Sequence, residues 1–205
     1  HGGGVTVVLA DGGAVEADAA VLAIGNLPPP PPGRQLAALP PGLWVADPWA
    51  GDVAAGLSDD DNVLVIGTGL TMVDVVALLE ERGFKGPILA LSRRGLIPQA
   101  HADGGHPEKR LDAPGTRASS LLRDIRARGE EIGWRHAVDQ LRPFTQTLWK
   151  SASDAERRRF LRHLRPWWDI HRHRIAQRVS TRIQAMIDRG QLRVEAGKIA
   201  SVEAQ

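Results

Sequence analysis

Two short groups of residues in this chain have the types and spacing to hold a phosphorylated ligand. The first is the glycine turn Gly67, Thr68 and Gly69, which lies between a β-branched run and a helix-length apolar segment. In such a turn the first glycine permits a tight bend. The second lets the backbone approach a pyrophosphate that accepts hydrogen bonds from N–H groups at the helix start. The pattern therefore predicts a dinucleotide site.

The complete fingerprint for such a site is G-x-G-x-x-G/A, and Met72 occupies its last position here. A methionine predicts looser contact between helix and strand than glycine or alanine would give. A purely structural strand-to-helix turn therefore stays open as an alternative.

The second group is Ser92, Arg93 and Arg94, which follows the next apolar run. About 20 residues after the glycines, NAD sites place an acidic residue on the ribose, whereas NADP sites place an arginine near the 2′-phosphate. A planar guanidinium binds phosphate bidentately, and no carboxylate stands at this position. The sequence therefore predicts NADP(H) rather than NAD(H), and a solvated basic loop is the alternative.

These groups must be positioned by a strand, a helix and a second strand. The run Val63–Ile66 is typical of a fully buried parallel strand, and Ile88–Ser92, after Pro87, predicts its neighbour. The helix between them should end near Arg82 and Gly83, because glycine favours the left-handed C-terminal cap.

The same helix is apolar around most of its circumference, which predicts an inward face and a narrow solvent stripe. Asp74 belongs to the solvent stripe together with Glu81, although Asp74 could instead form a hydrogen bond inside the site. The residues expected to face inward are Val73, Val76, Ala77 and Leu79.

The N-terminal part of the chain has a hairpin pattern. Residues 5–9 and 14–16 flank Asp11-Gly12-Gly13, where glycines supply the positive φ that the turn requires. A further strand is predicted at residues 20–24. The prolines at 28–32 predict a stiff polyproline II spacer, or a ligand for a proline-binding partner. Residues 33–60 are interpreted as a connecting loop.

Beyond Arg94 the composition changes to helix formers. Residues 116–189 predict three or four helices, with a capping region at residues 151–154. Strands are predicted at residues 192–195 and 199–203, and a sheet still being built at the last residues favours a truncated domain. The residues expected to form a small helical core are Trp134, Phe144, Trp149, Trp167 and Trp168.

Composition limits the class of protein. The chain has 205 residues, 42% of them hydrophobic, which suits one large or two small globular domains. No apolar run is long enough to span a membrane, and no signal peptide is evident, although the chain begins with His and an upstream segment could have held either. The absence of cysteine excludes disulfides and thiolate metal sites. A cytoplasmic location is the expectation.

Five segments together resemble the FAD/NAD(P)-binding proteins, bacterial relatives of flavin-dependent monooxygenases. The similarity covers nearly the whole chain. Its segments are residues 21–28, 47–49, 63–74, 91–96 and 165–169.

The resemblance implies an α/β fold with a Rossmann-like NAD(P)-binding βαβ unit, a helical insertion and a β-hairpin from a truncated FAD-binding domain. It also implies that NADPH reduces FAD. The implied divisions are the end of the FAD-binding domain at 1–32, a connecting loop at 33–60, the start of the NAD(P)-binding unit at 61–104, the helical insertion at 105–175, and a return helix and strands at 176–205.

The same resemblance implies three groups of cofactor-binding residues. Gly25 and Asn26 would lie on the flavin side. No G-x-G-x-x-G precedes the hairpin, so the implied partner is a missing FAD-binding segment of the same polypeptide, without which the fragment is expected to be inactive. The residues implied to face the NADP pyrophosphate are Gly67, Thr68, Gly69, Leu70 and Thr71, and those facing the adenosine phosphate are Ser92, Arg93 and Arg94.

No catalytic residue is assigned, because hydride transfer requires no side-chain acid or base. His101 could approach the nicotinamide, but a loop histidine satisfied by backbone is the simpler interpretation. A metal site is disfavoured, because histidines two residues apart on a helix point to nearly opposite sides. The histidines considered for a metal are His163, His171 and His173.

Two rival functions remain. One is a non-catalytic NADP-binding or sensor module. The other is nucleic-acid binding through a basic, aromatic surface near Trp167 and Trp168. The favoured interpretation of that surface is that it docks on the more acidic half of the chain, residues 1–104, or meets the cofactor phosphates, and a solvated helix face is a further alternative. The arginines of this surface are those at 157, 158, 159, 162, 165, 172, 174 and 178.

Overall fold

The computed structural model describes residues 4–23, 25, 31, 33–101, 112 and 114–204. The chain divides into two compact units, His1–Asp47 and Pro48–Gln205. Their boundary falls inside the predicted connecting loop at 33–60. The architecture is mixed α/β, with a three-stranded parallel sheet in the second unit.

The first unit contains the predicted hairpin. Strands β1 (Val5–Val8) and β2 (Ala14–Ala17) pair antiparallel, with Val5 opposite Ala17. Gly12 adopts a φ of +87° in the turn, and the backbone N–H of Gly13 donates to the Asp11 carboxylate at 2.9 Å. The hairpin prediction is therefore confirmed. A four-residue helix, α1 (Arg34–Ala37), follows later in this unit.

The predicted strand at residues 20–24 is wrong over the described residues 20–23, which form no strand. Val21 and Leu22 are 89% and 84% exposed. An apolar run becomes a strand only where a neighbour accepts its backbone hydrogen bonds, and the described residues supply none. Ile24 and most of the prolines at 28–32 lie outside the described residues, so the spacer remains a prediction.

The second unit is organised by three parallel strands in the order β3-β4-β5, namely β3 (Val63–Ile66), β4 (Ile88–Ser92) and β5 (Leu192–Ala196). Helix α2 (Leu70–Glu81) connects β3 to β4. It ends as predicted: Gly83 has a φ of +82°, and the N–H of Phe84 donates to Leu79 O at 3.0 Å. This is the hydrogen bond of a Schellman cap.

One face of the sheet packs against α2 and α8 (Gln177–Asp188). Leu64, on the other face, is 50% exposed, so the prediction of a fully buried β3 is wrong, because these helices cover only one side. Ala77 is half-buried, and Asp74 is exposed as predicted. The core consists of Met72, Val73, Val76, Leu79, Phe84, Ile88, Ala90, Ile183, Met186 and Leu192.

The helical segment is more divided than predicted. Within the described residues 114–204 there are six α-helices instead of three or four, together with a 3-10 turn (Arg142–Phe144) and a π-helical turn (Phe160–Leu164). Gly133, with a φ of +82°, separates the first two helices. The helices before α8 are α3 (Ala118–Ile132), α4 (Trp134–Gln140), α5 (Thr145–Ser151), α6 (Asp154–Arg159) and α7 (Arg165–Arg172).

The predicted capping region is confirmed, because the Ser153 hydroxyl accepts from the Glu156 N–H at the start of α6. The predicted aromatic core is only partly correct. Trp149 and Trp167 are 43% and 46% exposed, whereas Trp134 is half-buried. Short helices present too narrow an apolar face to bury every tryptophan. In the described part of the chain, no helix has the length and apolarity needed to cross a membrane.

The strand predicted at residues 199–203 is wrong, because these residues are irregular. The N–H of Gly197 donates to Ser92 O at 2.8 Å, and Ser92 is the last residue of β4. No further β4 residue is available to continue the ladder. The loop after β4 instead passes over the end of β5 at Gly95, where a Cβ would stand 3.1 Å from the Ala196 nitrogen.

Glu80 fastens α2 to α8. Its carboxylate accepts from Arg182 and from Arg189, each at 2.9 Å. The hydrogen bond from Arg189, then that from Arg182, holds the pKa of Glu80 below its ordinary value. The stabilisation is therefore complete above the unfolded-state pKa of about 4.3 and is lost as pH falls through the lower folded-state pKa.

We expect Glu80→Gln to lower the free energy of unfolding by about 1 kcal/mol at pH 7, and by less at pH 3, because the stabilisation declines as pH falls from the unfolded-state pKa through the lower folded-state pKa. Urea unfolding at both pH values measures this. Glu81→Gln is the matched control, because Glu81 pairs with one arginine, Arg182, among the residues that the structure describes and is more exposed than Glu80. Equal losses for the two variants, or a loss independent of pH, would contradict the expectation.

Candidate functional site

A cavity of about 280 Å³ opens in the second unit. The residues that follow β3 and β4 line it, because the carboxyl ends of neighbouring parallel strands meet at one edge of the sheet. Its lining comprises Thr68, Gly69, Leu70, Ser92, Arg93, Arg94, Leu96, Pro98, Pro166, Asp169, Ile170 and His173.

Six of the ten predicted site residues share this cavity. Gly67 and Thr71 are not in the lining: Gly67 makes the bend with a φ of +113° and donates to Leu91 O at 2.8 Å, and Thr71 is exposed on α2. Gly25 belongs to the other unit and has a φ of +75°. Asn26 lies outside the described residues.

Gly69 is the N-cap of α2, with extended backbone at φ −86° and ψ −161°. The first-turn N–H groups of any α-helix lack intrahelical acceptors. Within the described residues no side chain caps the start of α2, so these N–H groups remain available to a ligand. A Cβ at Gly69 would meet no heavy atom within 4 Å. The helix start is therefore open, and the helix dipole favours an anion there.

The hydroxyls of Thr68 and Ser92 form hydrogen bonds within the protein. Thr68 is 6% exposed, and its hydroxyl lies 2.8 Å from Ser92 Oγ and donates to the Leu96 carbonyl. Ser92 Oγ in turn accepts from the Gly95 N–H at 3.0 Å. These bonds fix the loop that carries the two arginines, so both hydroxyls position the site instead of pointing free donors at a ligand.

Arg93 and Arg94 are exposed at the cavity, and no carboxylate pairs with either among the described residues. One Arg94 nitrogen, Nη2, donates to Arg162 O at 3.5 Å, in the π-helical turn. Both guanidinium groups therefore keep donors available for an anion.

Helix α7 and the residue after it supply the opposite wall through Pro166, Asp169, Ile170 and His173. The Asp169 carboxylate lies 3.5 Å from Arg165 Nε. Sequence reasoning missed this wall, although residues 165–169 were among the segments that carry the resemblance. The segment's tryptophans and proline mark it as unusual, but nothing local indicates which cavity it faces.

The other candidates lie elsewhere. His101 is exposed outside the lining, and its backbone N–H donates to Ile175 O at 2.9 Å. The described residues contain no group of three potential metal ligands. Several arginines of the basic surface are paired with carboxylates, so they are not all free for a nucleic acid. The pairs are Arg157–Asp154, Arg159–Glu156, Arg165–Asp169 and Arg174–Asp139.

No protein-family model, curated protein or solved structure matches this chain.

Proposed function

We propose that the cavity binds the phosphate-bearing part of NADP(H), and that the chain is the Rossmann-like NAD(P)-binding portion of a flavin-dependent oxidoreductase. The observation that carries this proposal is that one cavity is lined both by the open start of α2 and by Arg93 and Arg94. Two independent anion-attracting features thus converge where the sequence predicted a pyrophosphate and an adenosine phosphate.

The electrostatics of the lining support a phosphorylated ligand. Gly69 and Leu70 bring the positive end of the α2 dipole to the cavity, and the arginines bring two full charges. Asp169 is the one carboxylate among the described residues of the lining, and Arg165 offsets its charge at 3.5 Å. The balance of charge therefore favours an anion.

The volume of the cavity supports a mononucleotide half in place of a whole dinucleotide. At about 280 Å³ it lies just below the roughly 300–1,000 Å³ of small-molecule sites. We infer that the phosphorylated adenosine half occupies the cavity and that the nicotinamide half extends beyond it. Bound NADPH would supply a hydride, and the residues of this chain would bind and orient it.

The flavin part of the proposal is supported by the first unit. A two-stranded hairpin is at best marginally stable alone in water. Val8, Val21 and Leu22 are 72%, 89% and 84% exposed. We infer that an FAD-binding segment of the same polypeptide covers them, near Gly25. A cytoplasmic location belongs to the same proposal.

Calorimetric titration of the chain with NADP+ and with NAD+ tests the cofactor. We expect NADP+ to bind at least about tenfold more tightly, because the 2′-phosphate meets the guanidinium groups. The double variant Arg93→Ala, Arg94→Ala should reduce NADP+ affinity to that of NAD+. Arg126→Ala, which removes an exposed arginine from α3, is the matched control and should change neither affinity.

Equal affinities, or tighter binding of NAD+, would contradict the role of the arginines, and failure to bind either nucleotide would overturn the site. The flavin part is tested separately by the visible absorption spectrum of the protein with its FAD-binding segment. A flavin band that bleaches when NADPH is added supports the oxidoreductase. NADP+ binding without NADPH oxidation would favour the sensor module.

A further inference from the structure

A cluster of aromatic and charged side chains lies behind the α7 wall of the cavity. The rings of Trp134 and His171 are in contact, with centroids 4.4 Å apart and their planes tilted by 44°. The guanidinium carbons of Arg135 and Arg174 lie 4.4 and 5.3 Å from the Trp134 ring centroid. Arg174 also pairs with Asp139 at 2.9 Å, and both of those side chains are largely buried. We call these five residues the Trp134 cluster.

The Trp134 cluster joins three parts of the second unit. Arg174 donates to the backbone carbonyls of Arg135 in α4, at 2.9 Å, and His171 in α7, at 2.8 Å. Arg135 donates at 3.0 Å to Ala100 O, in the segment after β4. The cluster therefore holds α4, the end of α7 and the segment after β4 together.

The same junction carries a short set of backbone hydrogen bonds. The N–H of Gln99 donates to Ile170 O at 3.1 Å, the N–H of His101 donates to Ile175 O at 2.9 Å, and the N–H of Ile175 donates to Gln99 O at 3.0 Å. Ile170 and His173 line the cavity. These bonds thus determine where one wall of the cavity stands.

His171 is the one member of the Trp134 cluster with an unsatisfied atom. Its Nδ1 is buried and has no hydrogen-bond partner among the described residues. Burial, followed by the charges of Arg174 and Arg135, lowers the pKa of this imidazole. Protonation would place a third cation beside two guanidinium groups and give Nδ1 a buried N–H without an acceptor.

The surrounding charges do not compensate for that cation. Asp139, on α4, is already bound to Arg174 and lies 3.7 Å from Arg142. His136 Nδ1, also on α4, is 3.0 Å from Ile132 O. On α7, Asp169 pairs with Arg165, and Arg172 adds a further positive charge. The segment after β4 contributes His101, whose side chain is exposed.

We propose that the Trp134 cluster is an acid-sensitive latch: protonation of His171 loosens α7 from the segment after β4 and opens the wall of the cavity. The inference goes beyond nucleotide binding and does not depend on it. Because the folded-state pKa lies below the ordinary value of about 6.5, the latch is intact above pH 6.5 and weakens as pH falls below it.

Hydrogen exchange of the Gln99, His101 and Ile175 amides tests the latch, with rates corrected for the intrinsic effect of pH. Between pH 7.5 and pH 5 we expect their protection in the wild type to fall measurably, because the folded state resists protonation of His171 more than the opened state does. In His171→Phe, which keeps a ring against Trp134 and carries no charge, protection should stay constant. His163→Gln, at an exposed histidine of the π-helical turn, should behave as wild type.

A constant protection in the wild type, or an equal loss in His171→Phe, would overturn the latch. If His171→Phe fails to fold, an NMR titration of the His171 ring protons in the wild type decides. A midpoint clearly below the ordinary histidine value supports the latch, and a midpoint at or above that value overturns it.

Discussion

Replacing Gly69 with aspartate is expected to weaken NADP+ binding on the order of 100-fold and to leave the fold intact. The extended backbone at Gly69 suits an aspartate N-cap, and the space around it is open. Helix α2 should therefore be unchanged or slightly more stable, because the carboxylate satisfies first-turn N–H groups and complements the dipole.

The same carboxylate occupies the place proposed for the pyrophosphate. Two unit charges about 4 Å apart repel by about 4 kcal/mol at an effective dielectric constant of 20. Part of this repulsion is relieved by solvent, and 100-fold in affinity corresponds to about 2.7 kcal/mol. Titration calorimetry measures the affinity, and urea unfolding measures the stability.

Gly69→Ala is the first control for this variant and should reduce affinity much less, because it adds bulk without charge. Gly115→Asp is the second, since it adds the same charge at an exposed glycine with open space. Unchanged NADP+ affinity in Gly69→Asp would show that the helix start does not hold the phosphates. If Gly115→Asp weakened NADP+ binding equally, the loss of affinity would come from the added net charge and not from the position of the carboxylate.

Replacing Met72 with alanine is expected to destabilise the protein by about 2–5 kcal/mol, the range for truncating a buried methionine. The substitution brings the chain closer to the dinucleotide fingerprint, yet Met72 is 2% exposed and belongs to the core between α2, α8 and the sheet. The helix position is set by its neighbours Val76 and Leu79, so the truncated side chain leaves a void.

Met72→Leu is the matched control and should cost less than about 1.5 kcal/mol, since it nearly conserves volume. Urea unfolding of both variants measures the difference. If the Met72→Ala protein were as stable as the wild type, α2 would have moved closer to the strand, as in proteins with glycine or alanine at this position of the dinucleotide fingerprint. The core would then be able to repack around the smaller side chain.

Strand β3, helix α2 and strand β4 were predictable because their signals are local. Val63–Ile66 and Ile88–Ser92 are β-branched or apolar runs, and Gly67 and Gly83 mark the ends of the connecting helix. These features depend on residues adjacent in sequence. The meeting of Gly69 with Arg93 and Arg94 at one cavity also followed, because parallel neighbouring strands deliver their following residues to the same edge.

The features that could not be predicted depend on partners distant in sequence. Residues 20–23 and 199–203 have the apolar composition of strands but lack a pairing neighbour among the described residues. The α7 wall is held at the cavity by contacts between distant segments, namely the backbone hydrogen bonds of Gln99 and Ile175 and the side-chain bonds of Arg174 and Arg135. Local patterns contain no information on such contacts. Met72 likewise departs from the G-x-G-x-x-G/A pattern for a reason that only the structure shows, namely its place in the buried core.

The close approach of Gly95 to Ala196 ties the loop that carries Arg93 and Arg94 to β5, a strand far from it in sequence. The turn bearing Arg93 and Arg94 lies against the end of β5, where an added methyl group at Gly95 would stand 3.1 Å from the Ala196 nitrogen and would require the backbone to shift slightly. A protein ending before β5 would keep in its sequence both groups proposed to bind phosphate, residues 67–69 and 92–94. It would lose both the contact of Gly95 with β5 and the buried core residue Leu192, so we expect it to be strongly destabilised and to lose nucleotide binding together with any preference between NADP+ and NAD+.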